Sequence, residues 1–179
     1  MSVIYLNAAH TPYSPGGVYK GINEYEESLR LCGLIRESLL ALDGGLQVEI
    51  TAGNSPAAGD DDLLFVFHKG NNMKNECRSG ALIFVKESAS AEIQYRAFRL
   101  LCALCGKGLS YRGVHTATKK SPFCSFINTI PENAYLVMAG FIESDRDNSL
   151  LFHRAGEISL DLAGEILKIY KEKTDEDKT

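Results

Sequence analysis

The chain has 179 residues, about the length of one domain, and its content of 45% hydrophobic and 23% charged residues excludes global disorder. The formal net charge is −4, and the Lys and Arg residues are scattered apart from Lys119-Lys120, so the sequence predicts no nucleic-acid partner. No apolar run approaches the roughly 18 residues of a membrane span. Because no basic region precedes the first apolar run at Val3, we expect synthesis in the cytoplasm without a signal peptide.

The first half of the chain alternates between strand-like and helix-like patterns. A helix is predicted to start at Asn23, which can cap it with Glu26 three residues on, and to end at Gly44-Gly45. The flanking elements are a strand (2–7), a Pro- and Gly-rich loop (8–20), an alternating strand (46–51), a loop (52–62) and a buried strand (63–67).

The second half continues the alternation and ends in a charged segment. Its predicted elements are a polar loop (69–79), a strand (81–85), a helix (89–105), a less regular stretch (106–133), a last strand (134–141) and a terminal helix (156–171). We therefore predict one domain over residues 1–171, followed by a charged, disordered tail over 172–179.

This order of elements predicts an α/β fold, with an open, twisted, mostly parallel sheet and helices on both faces. In such sheets the functional site lies at the carboxyl ends of the strands. His10 and His68 each follow a predicted strand, and Glu24 stands at a predicted helix start. Two histidines and a glutamate suit zinc with one position left open for water, so a metal hydrolase is the first hypothesis.

Each of these residues also has a simpler interpretation. His10 and His68 could be hydrogen-bonded loop residues, and Glu24 could be a helix-start carboxylate favoured by the helix dipole. Asn71 and Asn72, in the loop after His68, either line a substrate groove or form a polar connection.

Short segments in a fixed order carry further information along nearly the whole chain. They are Asn7-Ala8-Ala9-His10, Gly21-Ile22-Asn23-Glu24 with Leu29 five residues after the Glu, 48–51 (Val-Glu-Ile-Thr), 65–68 (Phe-Val-Phe-His), 80–85, Arg112-Gly113-Val114 and 136–141 ending in Gly-Phe. In this order they resemble the zinc-dependent N-acetylmuramoyl-L-alanine amidases, which cleave bacterial cell wall.

The resemblance implies an amidase-like fold and a Zn²⁺ ion bound by His10, Glu24 and His68. It further implies hydrolysis of the amide bond between N-acetylmuramic acid and L-alanine, with zinc polarising the scissile carbonyl. The implied partner is peptidoglycan, reached after release from the cell or during lysis as by an endolysin. We expect a monomer that binds neither nucleic acid nor membrane.

One position departs from the family in a way that bears on catalysis. The family places its catalytic Glu two residues before the Gly-Phe of the last strand, where this chain has Met138. A thioether cannot accept a proton, and loss of a general base costs about 10²–10⁴ in rate. Glu143 is our candidate for a surrogate acid, with Asp145 and Glu132 as alternatives.

Three hypotheses remain from the sequence. The first is an active zinc amidase. The second is a module of the same fold that keeps zinc and binds peptidoglycan peptides without efficient turnover, which Met138 favours. The third is a metal-free interaction domain.

Overall fold

A computed structural model describes residues 2–53, 58–71, 78–119, 124–127 and 129–176. Its elements in chain order are β1 (Ile4–Ala8), β2 (Val18–Tyr19), β3 (Ile22–Asn23), α1 (Glu24–Leu42), β4 (Val48–Ala52), β5 (Leu63–Gly70), β6 (Ala81–Lys86), α2 (Ala91–Cys105), β7 (Tyr111–Ala117), α3 (Cys124–Ile127), β8 (Ala134–Phe141), α4 (Asp145–His153) and α5 (Ala155–Glu176).

Six of the strands form one sheet, in the order β4-β1-β5-β8-β6-β7. Strands β4, β1, β5 and β8 are parallel to one another, β6 pairs antiparallel with β8, and β7 is parallel to β6. The predicted open, mostly parallel sheet is therefore confirmed. The short strands β2 and β3 form a separate antiparallel pair just before α1.

Helices cover both faces of the sheet, as predicted, but to unequal extents. The long helices α1, α2 and α5 bury their apolar residues in one core against the same face. A smaller apolar cluster, which includes Ile127 of α3, covers the opposite face. The two central strands β5 and β8 are consequently buried along their whole length, which explains their continuous apolar runs. No helix in the described ranges is long and apolar enough to span a membrane.

The terminal helix corrects the predicted tail. Helix α5 continues to Glu176, so residues 172–176 are helical rather than disordered, while residues 177–179 lie outside the described chain. The physical reason is Arg96 of α2, whose side chain is buried and forms ion pairs with Glu172 and Glu176. Charged residues that the sequence suggests are solvated thus join α5 to α2.

A buried carboxylate joins the ends of two strands to α4. Asp147 is fully buried, and it accepts hydrogen bonds from the Ser79 hydroxyl (2.6 Å), the Gly80 N–H (2.8 Å) and the Phe141 N–H (2.9 Å). Gly80 directly precedes β6, and Phe141 ends β8. Asp147 therefore fixes how the carboxyl end of β8 sits beside the start of β6.

Replacing Asp147 with Ala should lower the free energy of unfolding by about 2–4 kcal/mol, because two buried backbone N–H groups lose their acceptor. Urea unfolding of the variant against the parent protein measures this change. Asp145→Ala is the matched control, because Asp145 pairs with Lys20 on the surface and both side chains are more than half exposed. Equal effects of the two substitutions would contradict the structural role of Asp147.

Candidate metal centre

The first candidate ligand, His10, lies just past the carboxyl end of β1. The Ala9 N–H donates to the Phe67 carbonyl (3.0 Å) and so extends the pairing of β1 with β5 by one residue. His10 then adopts a left-handed backbone conformation with a φ of 69°, uncommon for a residue other than glycine. This turn directs the chain away from the sheet and leaves the His10 side chain 26% exposed.

The second, Glu24, is the first residue of α1. As predicted, Asn23 caps this helix, its side chain accepting a hydrogen bond from the Glu26 N–H (2.8 Å). The N–H groups of Glu24 and Tyr25 donate to the carbonyls of Gly17 (2.9 Å) and Pro15 (3.0 Å). The loop after His10 is thereby attached to the start of α1, where the helix dipole favours a carboxylate.

The Glu24 carboxylate has close polar neighbours at both oxygens. Its Oε1 lies 2.7 Å from His68 Nδ1 and accepts the Lys69 N–H (2.9 Å). Its Oε2 lies 3.1 Å from His10 Nε2 and accepts the Gly17 N–H (3.2 Å). The side chain is only 4% exposed, so these contacts replace water around a buried charge.

The surroundings of Glu24 favour its ionised form. Burial raises the pKa of this carboxyl. The hydrogen bond and charge of His68, the Lys69 N–H and the charge of His10 act in the opposite direction and outweigh burial. The pKa of Glu24 therefore lies below its ordinary value, as a metal-binding carboxylate requires.

His68 completes the group. It lies within β5, which runs two residues beyond it to Gly70, rather than after the strand as the sequence suggests. Its ring lies edge-on to that of His10, with centroids 5.1 Å apart. One ligand atom from each of His10, Glu24 and His68 lies within 4.8 Å of the other two. The structure thus brings together the three predicted ligands.

These residues fit a metal ion in three respects. Two imidazoles and one carboxylate are a common donor set for a metal with an open position. The N–H groups of Gly17 and Lys69 fix the orientation of the carboxylate, as outer partners of metal ligands do. A Cβ on Gly16, which has a φ of +75°, would lie 2.5 Å from Glu24 Oε2 and 2.7 Å from His10 Nε2, so the loop is shaped closely around the ligands.

Gly16 and Gly17 are the site residues that sequence reasoning missed, since a Gly pair is typical of any turn. The available signal was their position in the short segment between two proposed ligands. At Gly16 only a residue without a side chain leaves room for Glu24 and His10, whereas a side chain at Gly17 would meet Ile142.

Met138 is the neighbour of His68 on the adjacent strand. The two are paired in register between β5 and β8, so their side chains lie on the same face of the sheet. Met138 is 5% exposed and packs in an apolar cluster with Leu82 and Phe141. The position that the family resemblance assigns to a proton carrier is therefore beside the centre, and it is apolar.

The candidate surrogate acids lie in different surroundings. Asp145 pairs with Lys20 on the surface. Glu132 accepts a hydrogen bond from Ser88 (3.0 Å), beyond the end of β6, and stands before the start of β8, whereas His68 lies towards the end of its strand. Glu143 is partly buried between β8 and α4, and it is not among the groups within ligand distance of one another. Its catalytic role stays a prediction.

The segment that carries Glu143 does run beside the centre. A Cβ on Gly17 would lie 3.0 Å from the Ile142 side chain and 3.5 Å from Asn71 Nδ2. Asn71 is exposed here, near the loop that binds Glu24, whereas Asn72 lies outside the described residues. The substrate-binding role predicted for the pair remains a prediction.

Gly16→Ala should weaken metal binding at this centre by about tenfold or more, with Zn²⁺ as the probe ion, because the new methyl group would displace His10 and Glu24. Competition with a chromogenic chelator measures the affinity. Gly21→Ala is the matched control, since Gly21 has a similar φ of +80° but nothing lies within 4 Å of its added Cβ. An equal loss in both variants would attribute the effect to backbone strain rather than to contact with the ligands.

Comparison by sequence finds no relative, because no family model and no curated protein matches the chain. Comparison with solved structures, in contrast, finds proteins of similar fold. The catalytic domain of CwlV, an N-acetylmuramoyl-L-alanine amidase from Bacillus (Paenibacillus) polymyxa var. colistinus, aligns with a TM-score of 0.74 at 17% identity, covering 96% of this chain and 99% of that one.

Two further solved structures agree. An N-acetylmuramoyl-L-alanine amidase from Clostridium difficile 630 aligns with a TM-score of 0.70 at 11% identity, over 93% of this chain and 95% of that one. The catalytic domain of the CD27L endolysin, which targets Clostridia difficile, gives 0.68 at 14% identity, over 94% and 98%. The chain therefore has the fold of N-acetylmuramoyl-L-alanine amidase catalytic domains over nearly its whole length.

Proposed function

We propose that this protein binds Zn²⁺ through His10, Glu24 and His68 and hydrolyses the amide bond between N-acetylmuramic acid and L-alanine in peptidoglycan. The observation that carries the proposal is the convergence of these three side chains, within 4.8 Å, in a fold shared with amidase catalytic domains. Zinc is the metal of choice because two imidazoles and a carboxylate suit it, and it would supply a Lewis acid at the scissile carbonyl.

The protein itself positions these three side chains so that they can bind a metal ion. Glu24 is buried and ionised, and its two oxygens are oriented by backbone N–H groups on either side. His10 is the most exposed of the three ligands, at 26%, so the centre opens towards solvent on the His10 side. A substrate carbonyl would approach from there.

A proton carrier is the remaining requirement, and we propose Glu143 for it. The Ile142 side chain packs against Gly17, and the Ile142 N–H donates to the Gly70 carbonyl (2.9 Å). This segment therefore follows the end of β5 past the centre, and it carries a carboxylate at its next residue.

Met138 favours a second candidate function, a module that keeps zinc and binds peptidoglycan peptides without efficient turnover. Met138 stands beside His68, and its neighbours Leu82 and Phe141 are apolar as well. An apolar wall there supports binding of a substrate but offers no atom that can accept a proton.

Cell-wall suspensions supplied with zinc test the proposal directly. We expect the protein to release new L-alanine amino termini and His68→Ala to release none, because the substitution removes one ligand from the centre. His153→Ala is the control, since His153 is exposed at the end of α4. No release by a folded, zinc-loaded protein would reject the amidase proposal.

Substitution of Met138 separates the two candidates. If the protein is a binding module, Met138→Glu should raise turnover by about 10²–10⁴, whereas Met138→Gln, of equal size but unable to accept a proton, should not. If Glu143 already acts as the proton carrier, Met138→Glu should leave the rate of amide cleavage almost unchanged. Glu143→Gln should then lower that rate by about 10²–10⁴. The rate of amide cleavage on isolated walls measures all three variants.

A further inference from the structure

Residues 11–19, which follow the first candidate ligand, form an uncharged rim beside the centre, and the next residue, Lys20, pairs with Asp145. Residues 11–19 contain no acidic or basic side chain. Within it the Tyr13 side chain is 98% exposed and Val18 is 62% exposed. Tyr13 makes almost no contact with the rest of the protein, although an exposed aromatic ring of this size gains free energy from any apolar partner.

The backbone that carries Tyr13 is nevertheless fixed. Thr11 and Ser14 exchange two backbone hydrogen bonds (3.2 and 3.0 Å), with Pro12 and Tyr13 at the tip of the turn between them. The Ser14 N–H also donates to the Thr11 hydroxyl (3.2 Å). A ring on a preformed turn loses little conformational entropy when a ligand covers it.

The position of the turn defines what can reach it. Tyr13 is three residues from His10, so the two Cα atoms lie within about 11 Å of each other. The turn belongs to the same loop as Gly16 and Gly17, whose backbone borders Glu24 and His10, so Tyr13 stands close to the ligand set. A group bonded close to the scissile amide would therefore lie within its reach.

We infer that Tyr13 is a saccharide-binding residue that stacks on the N-acetylmuramic acid ring of the substrate. The inference rests on the proposed function, and it extends that function by naming which half of the substrate meets the rim. In the substrate the muramic carboxyl forms the scissile amide with L-alanine. This sugar is therefore uncharged, and it presents C–H groups that suit an aromatic face. The stem peptide carries carboxylates, which call for cationic partners that residues 11–19 lack.

The chain provides a spectroscopic test because it contains no tryptophan. Tyr13→Trp keeps a stacking ring and introduces the sole indole fluorophore. We expect its emission to change on titration with muramyl dipeptide (N-acetylmuramoyl-L-alanyl-D-isoglutamine) and not with L-alanyl-D-isoglutamine, which lacks the sugar. The titration includes a metal chelator, so that the amide bond of muramyl dipeptide is not hydrolysed during the measurement. Tyr111→Trp is the matched control, since Tyr111 is 50% exposed on β7, at the far edge of the sheet.

Affinity gives the second readout. Tyr13→Ala should weaken binding of muramyl dipeptide by about 3- to 10-fold and leave binding of the sugar-free dipeptide unchanged. Tyr13→Phe should retain the affinity of the parent, because the ring face rather than the hydroxyl makes the contact. Calorimetric titration measures each affinity, and an unchanged melting temperature confirms that the exposed position does not affect folding.

Two results would overturn the inference. In the first, the parent protein binds muramyl dipeptide, and Tyr13→Ala either binds it equally well or loses affinity for muramyl dipeptide and the sugar-free dipeptide alike. Tyr13 then does not stack on the sugar, and the proposed function stands. If the parent protein binds neither ligand and releases no L-alanine termini from walls, the inference falls together with the proposed function.

Discussion

The buried carboxylate of Glu24 is the interaction on which the candidate centre depends. An ionised carboxylate that is 4% exposed is stable only if its oxygens are satisfied, and here the partners come from two segments other than its own helix. His10 and Gly17 belong to the loop after β1, whereas His68 and Lys69 belong to β5. The requirement to satisfy this one charge therefore fixes the mutual placement of the loop, the strand and the start of α1.

A second set of hydrogen bonds extends this arrangement to the end of β8. Lys69 is buried, and burial lowers the pKa of its ammonium group. Its Nζ donates to the Asn148 side chain, which in turn donates to the Ile142 carbonyl (2.7 Å). Because Lys69 also binds Glu24 through its backbone N–H, the segment that carries Glu143 is connected to the ligand set by polar contacts as well as by packing.

Much of the fold and of the ligand set could be predicted from the sequence, because both depend on local signals. The buried strands β5 and β8 are continuous apolar runs, and α1 begins at a capping residue, Asn23. Strand β7 was missed because it is an edge strand whose exposed residues include Arg112 and His115, so it lacks the apolar pattern that marks the inner strands.

What local patterns could not supply is the pairing of charges across the chain. Asp147 looks like a surface residue in the sequence, yet its partners at Ser79 and Gly80 lie 67 or more residues away. The same holds for Arg96, whose partners on α5 turn an apparently solvated tail into helix. Such pairings depend on the three-dimensional arrangement, and a single sequence does not contain the distances that create them.

Glu24 and Met138 play different parts beside the same centre, because Glu24 determines its geometry and Met138 occupies the position where the family has its proton carrier. Glu24 has partners in every segment around it, so the geometry of the centre depends on its charge. Met138 contributes only apolar packing with Leu82 and Phe141, and its place in β8 is set by main-chain pairing with His68. A fold can therefore preserve an amidase-like ligand set while the strand position beside it offers no proton carrier, so that proton transfer depends on an acid from another segment, for which we propose Glu143.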